Sequence, residues 1–292
     1  MKRGEVGSRA GQIFCSCLLG WVLSGPSVAA NAPAAPARPT TPAPAAAAPQ
    51  TESQKEAARL LKAMAEYLAG LKAFTTSASN GYETVQANGQ KIEFGESRRI
   101  SLSRPDKLRI EENASDGVKD LALFDGRFIT MVSADDNVYA QATQPPSIED
   151  ALVYFVRDLR MRAPLALLLS THVRTELPTL AREIDYVEKT SLRGQVAHHI
   201  AGRGESVDFQ FWIADGNKPL PLRVVIVYKN SPGQPRFWSD FSGWNTAPQF
   251  AASTFQLVLP KGARQIPFAV QMSALGAVPQ GQGPAAGGEV KP

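Results

Sequence analysis

The feature that most limits what this chain can fold into is a period of two. Ile100 and Leu102 alternate with Arg99, Ser101 and Ser103, and Leu108 and Ile110 alternate with Lys107, Arg109 and Glu111. Successive side chains of a strand point to opposite faces, so each run makes a strand with one apolar and one polar side. Turn signals separate the runs: Asn88-Gly89, Arg104-Pro105-Asp106, Ser115-Asp116-Gly117 and Asp125-Gly126. The pattern predicts an antiparallel meander with one face on a core. It resumes where Val207, Phe209 and Phe211 alternate with Asp208, Gln210 and Trp212, followed by the turn Asp215-Gly216-Asn217. From Val224 to Tyr228 both faces are apolar, which predicts a strand covered on both sides. Phe237, Trp238, Phe241 and Trp244 mark a further aromatic-rich strand.

Two stretches carry a helical period instead. Ala57, Leu60, Leu61, Met64, Leu68 and Leu71 recur at steps of three and four. Ser53-Gln54-Lys55-Glu56 ahead of them has the capping-box spacing, a serine hydroxyl serving an orphan N–H while the glutamate reaches back. Between the two sets of strands, Ser147 with Asp150 three residues on predicts an N-cap. Ile148, Ala151, Leu152, Phe155, Val156 and Leu159 then form an apolar stripe, and Ala163-Pro164-Leu165-Ala166-Leu167-Leu168-Leu169 follows. Such apolar density in a mid-chain insert predicts a lid over the sheet rather than a surface loop.

The chain ends do not read as fold. Lys2, Arg3 and Arg9 precede an apolar run from Ile13 to Leu23, and Val28-Ala29-Ala30 places small residues for a cut after Ala30. Residues 1–30 therefore read as a secretory signal peptide, too short in its apolar run for the roughly 20 residues of a membrane span. In residues 31–50, 15 of 20 are Ala or Pro, which predicts a disordered, semi-extended linker over 31–51. The Gly-, Ala- and Pro-rich residues 272–292 read as a disordered tail, leaving one domain over 52–271. Cys15 and Cys17, the sole cysteines, leave with the signal, so neither a disulfide framework nor a cysteine-held zinc is expected. Loss of Lys2, Arg3, Arg9 and Glu5 lowers the formal charge from +4 to +2. Acids and bases are interleaved in the remainder, which argues against a nucleic-acid partner.

Little catalytic equipment is visible. His198 and His199 are neighbours on a strand and point to opposite faces, so they cannot share a metal, and no Glu or His precedes His172 at helical ligand spacing. Neither a nucleophile elbow nor a phosphate loop occurs, and Gly202-Arg203-Gly204 fits a hairpin turn. The acid pairs Glu111-Glu112 and Asp135-Asp136 are placed at turns, where solvated carboxylates are ordinary. No enzyme activity, metal or cofactor is expected.

Several landmarks together resemble a known family. These are Phe124-Asp125-Gly126-Arg127-Phe128 with Asn137-Val138-Tyr139, then Trp212-Ile213, Pro219-Leu220-Pro221-Leu222-Arg223, Ser239-Asp240, Trp244-Asn245, and Phe255 with Pro260-Lys261-Gly262-Ala263. The set is similar to an uncharacterised family of predicted periplasmic proteins with the LolA/LolB lipoprotein-carrier fold. The resemblance implies an α+β fold, a curved antiparallel sheet forming a half-open barrel under a helical lid, and a periplasmic location. Catalytic residues do not come with it. An apolar cavity between concave sheet and insert would then hold a lipid, an acyl chain or a lipoprotein. Leu152, Phe155, Leu159, Leu167, Phe209 and Phe211 are its expected walls, with Arg157 and Arg160 at the mouth. The alternative is an envelope scaffold or sensor that engages a protein partner and fills its cavity with its own side chains.

Overall fold

The computed structural model describes residues 50–143, 147–159, 161 and 163–268. The expected signal peptide, nearly all of the expected Ala/Pro linker, Arg160, Arg162 and the expected tail from residue 272 lie outside the described residues. Helix α1 (Glu52–Gly70) leads into a meander of β1 (Ala73–Val85), β2 (Lys91–Ser103), β3 (Lys107–Ala114), β4 (Lys119–Phe124), β5 (Phe128–Ser133) and β6 (Val138–Thr143). Each of the four turn signals read in the sequence joins consecutive strands of this meander.

An insert follows, made of α2 (Ile148–Val153), a π-helical turn Tyr154–Asp158, α3 (Ala166–Leu169), α4 (Val173–Glu176) and a 3-10 turn Leu177–Leu180. A second meander comprises β7 (Glu183–Leu192), β8 (Gln195–Arg203), β9 (Val207–Ala214), β10 (Pro221–Tyr228) and β11 (Arg236–Asn245). The short β12 (Arg264–Gln265) pairs parallel to β6. All 12 strands form one sheet in the order β12-β6-β5-β4-β3-β2-β1-β11-β10-β9-β8-β7, so the meanders join through β1 and β11 and the sheet is not closed. The expected incomplete barrel with helical cover is the observed architecture.

Helix α1 lies across β7, β8 and β9. Its apolar stripe, Leu60, Leu61, Met64 and Leu68, packs with Ile200, Phe209, Phe211, Ile213 and Val224 into a closed core. A second core gathers Phe74, Leu102, Leu108, Phe124 and Ile129 from the first meander with Ile148 and Leu159 of the insert. Leu71 and Trp244 pack against both, at the junction.

Two local expectations are corrected. Ser53 lies inside the helix that starts at Glu52, and its Oγ accepts from the Tyr186 N–H at 3.0 Å. It stitches α1 to β7, while Glu56 pairs with Arg59, so no capping box forms. Strand β10 is covered on one side only. Val224 faces the core, whereas Val225 and Val227 line a shallow groove on the outer face with Asp185 and Arg203. Val225 and Val227 are apolar without a second layer above them.

The outer face of the later strands carries a stack that the landmark residues build together. His199 lies on Trp212 with centroids 4.0 Å apart, and the Arg223 guanidinium sits 5.7 Å from the Trp212 ring and 5.4 Å from that of Trp238. Asp240, buried, pairs with Arg223 and Arg193. Trp238 covers Gly81, its register partner, and Phe209 on the inner face covers Gly202, its own partner. Gly202 thus belongs to β8, and its missing side chain is a packing requirement rather than a turn.

A Cβ at Gly202 would lie 2.3 Å from Phe209, and one at Gly81 would lie 2.4 Å from Trp238. Phe209 is locked beneath α1, while Trp238 is only half-buried and can swing outward. Gly202→Ala should therefore lower stability by about 1–3 kcal/mol, the usual range for overpacking, and Gly81→Ala by less. Urea midpoints of the two variants check the order.

Candidate functional site

The insert is fixed at both ends by one side chain. Arg104, in the turn between β2 and β3, donates from Nε to the Leu71 carbonyl at 3.0 Å and from Nη2 to the Leu169 carbonyl at 2.8 Å. Its Nη1 meets Glu149 Oε1 at 3.1 Å, and the same oxygen accepts from the Thr171 N–H and hydroxyl. Residues 149 and 169–171 are thereby held together, and the segment between them arches over the sheet. Ser147 caps α2 as its spacing predicts, with the Asp150 N–H donating to Oγ at 3.1 Å. Burial raises the Glu149 carboxyl, but the Thr171 hydrogen bonds and the Arg104 charge outweigh it and hold it below the ordinary range.

Under this arch the side chains leave a cavity of about 90 Å³. Its floor is the inner face of β1 to β5, including Phe74, Ile100, Leu108 and Phe124, and its roof is Leu152, Phe155 and Leu165 of the insert. Trp244 closes the side toward α1, tilted against Phe74 with centroids 5.3 Å apart. Only Thr76, Asn80 and Arg98 among the lining residues have polar side chains, so the wall is almost wholly apolar.

The expected wall residues divide. Leu152 and Phe155 are brought together in the roof. Leu159 is buried in the core beside it and is not a wall. Leu167 packs toward α1, and its neighbours Leu165, Ala166, Leu168 and Leu169 line the cavity in its place. Phe209 and Phe211 meet edge to face at 5.6 Å in the closed core beneath α1. They lie elsewhere because α1 already occupies the concave side of their strands. Arg157 is exposed and pairs with Asp158 at 2.9 Å instead of standing at the cavity mouth, and Arg160 lies outside the described residues. The floor residues that the sequence reading passed over, Ile100, Leu108 and Ile110, sit on the alternating apolar face it had identified. The missing information was which strands lie beneath the insert.

A polar row crosses the same inner face at one end of the cavity. Asn80 Nδ2 donates to Glu96 Oε1 at 3.0 Å, and Arg98 reaches Glu96 at 2.7 Å and Glu112 at 2.8 Å. Asp120 follows Glu112 across the β3–β4 register. Glu111 and Glu112 therefore lie within β3 rather than at a turn, and only Glu112 faces inward. Burial pushes the Glu112 carboxyl up to about 7, with Arg98 opposing the rise, and burial raises Asp120 as well. The histidines have local roles: His198 Nε2 lies 3.0 Å from Asp215, and His199 Nε2 lies 3.0 Å from Gln210. Among the described residues no group of His, Cys, Asp and Glu is placed to hold a metal. No helix among them is long and apolar enough to cross a membrane.

Residues 57–269 match a family described as "Predicted periplasmic protein (DUF2092)". Among solved structures the chain is similar to LprF from Mycobacterium bovis, with 13% identity, TM-score 0.45, and 72% of this chain and 99% of that one covered. It is also similar to the lipoprotein LppX of Mycobacterium tuberculosis, with 15% identity, TM-score 0.44, and coverage of 68% and 99%. A third similarity is to the MucA/MucB complex of Pseudomonas aeruginosa, with 17% identity, TM-score 0.37, and coverage of 70% and 61%. None of the curated proteins matches the sequence.

Arg104→Met should lower stability by about 3 kcal/mol, because it leaves Glu149 buried without its counter-charge. Hydrogen exchange should quicken across residues 148–171 before it does in α1. The Glu112 shift runs opposite to that of Glu149. Its folded form holds the proton more tightly than the unfolded chain, so its stabilising contribution is complete below pH 4.5 and lost as pH rises through 7. Glu112→Gln should flatten that slope, and denaturant unfolding at about pH 5 and about pH 8 measures the change.

Proposed function

The chain belongs to the DUF2092 family of predicted periplasmic proteins, and from that premise we propose that it is a non-enzymatic binding protein of the periplasm. Its ligand is an acyl chain of a lipid or lipoprotein, held between the inner face of β1–β5 and the insert. The observation that carries this reading is the almost wholly apolar cavity under the arch, beside the core packed under α1.

The energetics support capture followed by controlled release. Each buried methylene contributes about 0.8 kcal/mol, so a sixteen-carbon chain gains roughly 12 kcal/mol before losses. Immobilisation and opening of the cover offset a large part of that gain. The space of about 90 Å³ is smaller than the ~150 Å³ apolar cavity that takes up benzene, so a long chain enters only if the insert lifts. The insert is suited to that motion. α3 and α4 have 4 residues each, and Val153 and Val156 remain 43% and 44% exposed.

A second reading, an envelope scaffold or sensor, has its own support. Beyond the polar row the concave face continues uncovered, where Tyr82 and Phe94 stack at 5.7 Å and are, with Ile92, exposed. A protein partner would cover that strip.

Native mass spectrometry and solvent extraction of protein recovered from an envelope fraction should find bound lipid. A fluorescent fatty acid should enter saturably, and Leu152→Asp with Phe155→Asp should weaken uptake by roughly tenfold or more. Absence of both lipid and saturable uptake overturns the carrier reading. Capture of an envelope protein that Tyr82→Ser abolishes would favour the scaffold.

A further inference from the structure

Of the polar side chains that line the cavity, Thr76 is served locally, its hydroxyl donating to the Ser242 carbonyl at 3.0 Å. Asn80 is not. It is only 2% exposed, and its Nδ2 donates to Glu96 Oε1 at 3.0 Å. A carboxylate accepts and cannot donate, so this contact fixes the amide with Oδ1 turned away from Glu96. That Oδ1 has no partner. Ser239, opposite Asn80 in the β1–β11 register, also has an unpartnered Oγ, so it does not serve the amide. A buried acceptor without a donor is costly, and this one lies on the cavity wall.

Arg98, the third polar lining residue, stands beside it. Its Nη2 lies 2.7 Å from the same Glu96 oxygen, and its Nε donates to Glu112 at 2.8 Å. Asn80 and Arg98 therefore meet at one atom from the adjacent strands β1 and β2, and a single small head group spans both. Nη1 of Arg98 takes part in neither ion pair.

Neither charged class of head suits this corner. A cation would meet Arg98, the one charged side chain on the wall. An anion would share that guanidinium with Glu96 and Glu112, which it already serves, and a carboxylate has no hydrogen for Asn80 Oδ1. An uncharged hydroxyl donates to Oδ1 without either conflict, and a neutral carbonyl accepts from Nη1.

We propose that the Asn80–Arg98 corner is a head-group subsite for an uncharged hydroxyl carried beside an ester carbonyl, the chemistry of an acylglycerol whose chain lies in the cavity. The proposal rests on the acyl-chain reading and adds the class of the head. Asn80 Oδ1 accepts from the hydroxyl, and Arg98 donates to the carbonyl.

Competition against one uncharged reporter tests the head apart from the chain. The full chain is loaded with 1-N-phenylnaphthylamine, and monodecanoylglycerol and methyl decanoate compete for the site below the concentrations at which they aggregate. Both carry the same chain and an ester carbonyl, and only the first has hydroxyls. Without the subsite the methyl ester, the more apolar of the two, competes at least as well. With it, monodecanoylglycerol should displace the reporter at roughly tenfold lower concentration, the worth of one buried hydrogen bond otherwise unmade. Asn80→Leu, close to asparagine in shape, should bring that ratio to one or below. Asn80→Ala, which cannot crowd the wall, reads the same ratio should the first fail to fold. A ratio of one or below in the unaltered protein, or one that neither variant moves, overturns the subsite, and water alone then serves Asn80. Decylamine or decyl phosphate as the better competitor overturns it too, and all three results leave the apolar cavity standing. If the reporter does not bind and none of these amphiphiles alters the native mass spectrum, the acyl-chain reading falls, and the subsite with it.

Discussion

The pairing of β1 with β11 holds this structure together. It joins residues such as Tyr82 and Phe237, far apart in the chain, and converts two separate meanders into one sheet of 12 strands. Closing so long a loop costs entropy, though the cost grows only slowly with length. The return is shared core: Ala78 of β1 packs with Phe241 of β11 under α1, and Phe74 of β1 meets Trp244 of β11 beside the cavity. Without that pairing the first meander would have neither a neighbour on its inner edge nor the aromatic wall between the two cores.

One continuous concave face then needs two covers. α1 lies on the later strands, presents seven buried residues in a single stripe and leaves no comparable space. Of the insert, α2 and the π turn cover the earlier strands as short pieces, while α3, α4 and the 3-10 turn also pack against α1. The cavity is a consequence of this inequality. A long helix makes a straight ridge that interdigitates with a sheet, while five short helical pieces leave gaps. Arg104 keeps this cover in place by tying Leu71, Glu149 and Leu169, so the arch is fixed at its ends.

The polar row gives the cavity a direction. On the inner face of β1 the sequence runs Phe74, Thr76, Ala78, Asn80, Tyr82, so one strand passes from the cavity floor to the polar end and on to an exposed aromatic.

The alternation of Ile100, Leu102, Leu108 and Ile110, the four turn signals, the Ser147 cap and the stripe of α1 were legible in the sequence, because each depends on forces within a few residues. The sequence also marked the insert as an apolar cover and named Leu152 and Phe155 in its roof. It placed Phe209 and Phe211 beside them, since an inward aromatic on β9 has the same period as one facing the cavity. It put Glu112 at a turn, where solvated acids are ordinary. Tertiary structure decided those matters. The β1–β11 pairing fixed which half of the concave face α1 would claim. Once that half was filled, only the strands beneath the insert could keep open space, and only there could Asn80, Arg98 and Glu112 meet across three strands. Local periodicity determines which way a side chain points; what stands opposite it depends on contacts between residues far apart in the chain.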